Sequence, residues 1–190
     1  MTDTVEIRWH GRGGQGAKTA ALLVADAAIA TDKVAQAFPE YGPERMGAPV
    51  RAFNRISGQE IRIHCAVKHP SIILVLDETL MESVDVLEGV PEDGVIIINS
   101  EKSAADYQKK LNFRGKVFTV NASGIALKNI GLNKPNTPML GALIAATGIL
   151  DYKKMLDDTT HKLEKKFQNK PEVIAGNVKA IQDAYEEVKK

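Results

Sequence analysis

Residues 5–30, VEIRWHGRGGQGAKTAALLVADAAIA, decide the fold. Val5, Ile7 and Trp9 alternate with Glu6, Arg8 and His10, and this period of two marks a strand. A glycine loop follows at once, with Gly11, Gly13 and Gly16 in G-x-G-x-x-G spacing. From Ala17 to about residue 30 the chain is apolar nearly all round, which predicts a deeply packed helix. Strand, glycine turn and helix in this order open a βαβ unit, and so the chain reads as α/β.

Outward from there, VAQAF (34–38) predicts a short second strand. PEYGPERMGAP (39–49) carries three prolines and two glycines, so it is a loop, longer than a tight connection needs. PVRAFNRIS and EIRIHCAV both alternate and flank Ser57-Gly58-Gln59, which predicts a β-hairpin inserted in the sheet. Arg51, Arg55, Arg62 and His64 fall on its polar positions, so one face is wet or meets a partner. SIILVLD (71–77) and GVIIINS (94–100) are unbroken apolar runs, as in strands covered on both faces. A helix over roughly 78–88 fits between them, a helical stretch covers 101–111, and KVFTVNA (116–122) is a further strand. This β-α-β-α-β order predicts a mostly parallel sheet with right-handed crossovers. After about residue 123 only helices remain. Pro138 suits the first turn of an apolar helix with Thr137 as its N-cap. Two amphipathic helices close the chain, the last with Ile174, Val178, Ile181, Tyr185 and Val188 in one stripe. The expected organisation is a single domain over 1–190, an α/β core to about 150 and C-terminal helices from about 151.

Composition narrows the function. With 190 residues, 44% hydrophobic, 26% charged and a net charge of +1, the chain is an ordinary globular protein. It has no electrostatic case for nucleic acid or an anionic membrane. MTDTVEIRWH is not a signal sequence, and no apolar run approaches the roughly 18 residues of a spanning helix. A cytoplasmic protein is expected. The lone Cys65 can form no internal disulfide and hold no iron–sulfur cluster by itself. Lying in a predicted strand, it reads as a small buried hydrophobe.

The glycine loop passes the context test, with a strand before it and a helix after. Gly11 would allow a tight turn, Gly13 a close ligand approach, and Gly16 close helix packing. The helix N-terminus favours an anion, and Arg12 would add a mobile guanidinium. A nicotinamide site also wants an acid about 20 positions on, at the end of the second strand. Only Glu40 is near, and it lies in the long loop. Three readings stay open: a dinucleotide site, a structural turn without ligand, or another anionic or partner-facing role. Tyr41-Gly42-Pro43-Glu44-Arg45-Met46-Gly47 is a stiffened loop that suits docking more than catalysis. His10, His64, His69 and His161 are isolated and lack metal-ligand spacing. No nucleophile elbow, Walker lysine or paired-carboxylate motif is present, so neither a catalytic residue nor a metal site is expected.

Four segments in register carry a resemblance: G-R-G-G-Q-G at 11–16, Y-G-P-E-R at 41–45, G-A-P-V-R-A-F-N-R-I-S at 47–57 and N-T-P-M-L-G at 136–141. Together the chain resembles the gamma subunit of the 2-oxoacid:ferredoxin oxidoreductases, the family of pyruvate synthase. The resemblance implies a doubly wound, Rossmann-like domain that assembles with alpha, beta and delta subunits. It implies an assembly that converts a 2-oxoacid, coenzyme A and oxidised ferredoxin to acyl-CoA, carbon dioxide and reduced ferredoxin. Thiamine diphosphate, Mg2+ and 4Fe–4S clusters would then sit on the other subunits. On this chain, Gly11, Arg12, Gly13, Gly14, Gln15 and Gly16 would meet coenzyme A phosphates or the active-site edge. Tyr41, Glu44, Arg45, Arg51, Asn54, Arg55, Asn136 and Thr137 would shape the subunit junction or the coenzyme A channel. Met46 departs from the pattern, since relatives often carry a second arginine there. The alternatives are a free-standing dinucleotide-binding domain and a purely structural subunit.

Overall fold

The computed structural model describes residues 4–40 and 46–189. β1 (Val5–Arg12) leads through the glycine loop into α1 (Ala17–Ile29), then β2 (Val34–Pro39) and β3 (Pro49–Ser57). β4 (Ile72–Val75) is followed by a 3-10 turn (Glu78–Glu82), β5 (Val95–Asn99), α2 (Ala104–Leu111) and β6 (Lys116–Val120). Four helices end the chain: α3 (Ala122–Ile130), α4 (Asn136–Thr147), α5 (Tyr152–Lys166) and α6 (Pro171–Lys189). The sheet order is β2-β3-β1-β4-β5-β6. β1, β4, β5 and β6 pair in parallel. β3 is antiparallel to both β1 and β2, so β2 runs with β1 and only β3 is reversed.

Residue alternation builds two cores. Ile7, Trp9, Leu74 and Ile97 face α1 and the C-terminal helices. Ile73, Val75, Ile96 and Ile98 face the other way and pack with Tyr107, Phe113 and Val86. Strands buried on both sides need apolar residues at every position, which is why β4 and β5 are unbroken runs. α1 buries seven residues, six of them alanine, so it lies close to the sheet. Gly141 lets α4 and α6 touch backbone to backbone, because a Cβ there would collide with the Ile181 carbonyl oxygen.

Four sequence expectations are corrected. The hairpin exists, but its arms are β2 and β3; residues 60–67 form no strand. Side chains take its carbonyls instead: Arg55 donates to the Cys65 carbonyl oxygen at 2.8 Å and the Ile63 carbonyl oxygen at 3.4 Å. Cys65 is therefore exposed and not a core residue. The helix expected over 78–88 is a single 3-10 turn. Beyond it, Arg8 takes the carbonyls of Val86 (3.1 Å) and Glu88 (2.7 Å), which a helix would use internally. Thr137 does not cap α4; Pro135 holds the cap position and Thr137 is buried within the first turn. Among the described residues no helix is long and apolar enough to cross a membrane.

Candidate functional site

The carboxyl edge of the sheet gathers the polar residues. β1 ends at Arg12, and the chain turns sharply, with the Gln15 N–H donating to the Arg12 carbonyl at 3.0 Å. Gly14 (φ 95°) and Gly16 (φ 86°) are left-handed, a conformation that disfavours a side chain. Gly16 occupies the N-cap position of α1, and Asn136 from α4 packs where its Cβ would be. The first backbone bond of α1 runs from the Ala20 N–H to the Gly16 carbonyl at 2.9 Å. Helix geometry therefore leaves the N–H groups of Ala17, Lys18 and Thr19 without intrahelical acceptors. No side chain caps them and no acid lies in the first turn. This positive pole opens on a cavity of about 510 Å³ lined by Arg12, Lys18, Arg51, Met46 and Val50. It is an electropositive recess of the kind that binds anions.

A second cavity of about 450 Å³ lies on the β4–β6 side. Its walls include Asp77, Glu78, Asn99, Ser100 and Ser123. Asn99 is spent on structure, donating to the Leu76 carbonyl and the Ser123 hydroxyl and accepting from the Ser123 N–H. Tyr107 donates to Glu78, whose carboxylate also accepts from the Ser100 hydroxyl at 2.8 Å.

Between the cavities stands a cross-link. Arg12 Nε donates to Asp77 Oδ2 at 3.1 Å, and Gln15 Nε2 donates to the same oxygen at 2.9 Å. Arg12 also donates to the Thr79 hydroxyl (2.8 Å) and the Gly47 carbonyl (3.2 Å). The expected mobile guanidinium is thus corrected to a pinned one. Partial burial works against ionisation of Asp77. The Thr79 hydroxyl, Gln15 amide, Thr79 N–H and Arg12 outweigh it and hold the carboxyl below its usual range.

The other expected site residues divide. Arg51 lines the first cavity and pairs with Glu40 and, at 3.6 Å, Glu88. Asn54 and Arg55 are not at the surface. Asn54 accepts from Trp9 Nε1 at 2.9 Å and donates to the Ala21 carbonyl at 2.7 Å. Arg55, 1% exposed, pairs with Glu6 at 2.7 Å. Both are committed to the core, and their polar atoms have internal partners. Tyr41, Glu44 and Arg45 lie outside the described residues. Two residues escaped sequence reasoning. One is Asp77; the other is Lys134, whose Nζ donates to the Gly14 carbonyl at 2.6 Å. Each is far along the chain from the glycine loop and belongs to no motif. The one available signal for Asp77 was its place at the carboxyl end of a buried parallel strand. His10 is buried and neutral, its pKa pushed down to about 3 by burial and then by Arg8 and Arg51. Its Nε2 accepts from Arg8 Nε at 3.0 Å.

The family model described as pyruvate ferredoxin/flavodoxin oxidoreductase matches residues 6–187. The chain belongs to that family. It is 49% identical to pyruvate synthase subunit PorC of Thermotoga maritima, over 97% of this chain and 94% of the relative. It is 43% identical to the pyruvate/ketoisovalerate oxidoreductases common subunit gamma of Pyrococcus abyssi, covering 96% of each. The solved structure of Thermotoga maritima PORC superimposes with a TM-score of 0.83 at 46% identity over 96% of both chains. A 2-oxoglutarate:ferredoxin oxidoreductase of Magnetococcus marinus, solved with 2-oxoglutarate, coenzyme A and succinyl-CoA, has a TM-score of 0.76 at 16% identity. That match spans all of this chain and 31% of the other, and it shows the shared fold. The expected α/β fold and the gamma-type oxidoreductase subunit of this family both stand.

Proposed function

We propose that this chain serves a pyruvate:ferredoxin oxidoreductase as its gamma subunit, and that the cavity beside the glycine loop takes the phosphates of coenzyme A. The observation that carries the second part is the uncapped N-terminus of α1 behind left-handed Gly16, opening on a recess lined by Arg12, Lys18 and Arg51. Backbone N–H groups and guanidinium donors at one spot match the geometry of phosphate oxygens. We assign no proton-transfer or nucleophilic role to the described residues of the recess. Its part is to bind and orient the acyl acceptor.

A 4Fe–4S cluster takes four cysteine ligands, more than this chain has. Among the described residues no group of three or more His, Cys, Asp or Glu could hold a metal ion, and the sequence has one cysteine. Thiamine diphosphate, Mg2+ and 4Fe–4S clusters belong on alpha, beta and delta partners, through which ferredoxin is reduced. The assembly works in the cytoplasm.

Arg12→Ala in the purified complex tests the reading. Losing charge-assisted bonds worth about 1.5–3 kcal/mol raises the KM for coenzyme A about tenfold or more, with kcat for the reaction little changed. An unaltered KM would leave the subunit a structural one. Glu40, just past β2, is the acid nearest the place a dinucleotide ribose would need one, but its carboxylate is taken by Arg51. Binding of NADH to the chain, with no effect of Arg12→Ala on coenzyme A, would reverse the choice.

A further inference from the structure

Three cations around the glycine loop already have acceptors. Arg12 rests on Asp77, Arg51 on Glu40, and Lys134 on the Gly14 carbonyl. Arg12 matters most, since β1 and β4 are parallel neighbours whose onward connections pack on opposite faces of the sheet. That is where open α/β sheets bind ligands. Here the crevice is crossed by Arg12, Gln15 and Asp77, with a cavity on either side.

We propose that Asp77 is an internal counter-anion that sets the affinity of the phosphate site, holding Arg12 until a ligand phosphate displaces it. This rests on the coenzyme A reading above. Four features support exchange. First, Asp77 does not depend on Arg12: its Oδ1 accepts from the Thr79 N–H (3.0 Å) and Thr79 hydroxyl, and its Oδ2 keeps the Gln15 amide. The carboxylate stays satisfied when the guanidinium leaves. Second, the Asp77 and Arg12 side chains are 19% and 31% exposed, so a ligand can reach both. Third, a phosphate offers more charge than a carboxylate and matches the guanidinium fork. Fourth, Gln15 couples the exchange to the loop, because its Oε1 accepts from the Arg12 N–H at 2.7 Å while its Nε2 holds Asp77. Release of Arg12 removes one of the two bonds across the crevice and leaves Gln15 on Asp77.

The test uses the purified complex with Asp77→Asn, Asp77→Ser, Arg12→Ala and the double variant Arg12→Ala/Asp77→Asn. Asparagine keeps an acceptor for the Thr79 N–H but turns an amino group toward two donors, so it breaks the cross-link and removes the charge. Serine keeps the cap and does not reach Arg12. The readouts are KM for coenzyme A, kcat, and the inhibition constant of inorganic pyrophosphate against coenzyme A. Both Asp77 variants should lower the KM and the inhibition constant by about threefold or more, the scale of one exposed ion pair. Damage to the fold would not tighten binding. The double variant should match Arg12→Ala. Constants unchanged or raised by both Asp77 variants, with Arg12→Ala still raising them, would overturn the counter-anion and leave the coenzyme A reading intact. Arg12→Ala without effect would overturn both.

Discussion

His10 makes the stability of this chain depend on pH in a window where ordinary carboxylates are still ionised. It is 2% exposed, and burial with Arg8 and Arg51 pushes its pKa down to about 3, against roughly 6.5 when unfolded. A depressed pKa gives stability that is present above the unfolded value and lost as pH falls toward the folded one. Between pH 7 and pH 5 the unfolded histidine takes up most of a proton while the folded one stays neutral. The folded state therefore loses about 2 kcal/mol over that interval, and about 4 kcal/mol by the time the pH reaches the folded value. His10→Gln removes the titration and keeps a carbonyl oxygen for the bond from Arg8 Nε. The assay is urea unfolding of the chain followed by Trp9, the only tryptophan, which is fully buried on the same strand. Carboxylates titrate in both proteins and cancel in the difference. The wild-type advantage over His10→Gln should shrink by about 2 kcal/mol from pH 7 to pH 5. Parallel pH profiles for the two proteins would refute the buried, neutral histidine.

Two further substitutions probe the core. Asn54→Leu strands the buried Trp9 Nε1–H and removes the extra bond to the Ala21 carbonyl; urea unfolding should show a loss of about 2 kcal/mol, and a loss under 1 kcal/mol would mean that Trp9 does not depend on Asn54. Gly141→Ala gains helix propensity of about 1 kcal/mol but forces α4 away from the Ile181 carbonyl. Overpacking should win by about 1–2 kcal/mol, seen as a lower Tm, and a raised Tm would show that the helices are not in backbone contact.

The legible parts of the fold were those fixed by local pattern. Alternation placed β1, unbroken apolar runs placed β4 and β5, and the glycine spacing placed the turn before α1. The errors share one cause. EIRIHCAV has the alternation of a strand, and 78–88 has room for a helix, yet neither forms one. In both places an arginine from another strand bonds the backbone carbonyls instead. Arg55 on β3 takes those of Ile63 and Cys65, and Arg8 on β1 takes those of Val86 and Glu88. A buried arginine must find acceptors, and carbonyls not used in a ladder or helix are the ones on offer. Sequence periodicity cannot register this, because it counts a segment's own pattern and not the donors arriving from another strand.

The same arginine chemistry explains why the glycine loop was only half legible. Spacing and context located an anion-binding turn, and Gly14 and Gly16 do adopt the left-handed backbone that such a turn needs. What spacing could not supply was the state of the charge. Arg12 looked free in the sequence, but folding brings β4 alongside β1 and delivers Asp77 to it from 65 residues away. Lys134 arrives from 120 residues away and bonds the Gly14 carbonyl. The loop thus reads as a positive site where Arg12, Arg51 and Lys134 have internal acceptors. An anion must compete for them, so its affinity depends on the acids and carbonyls that hold the cations as much as on the glycines.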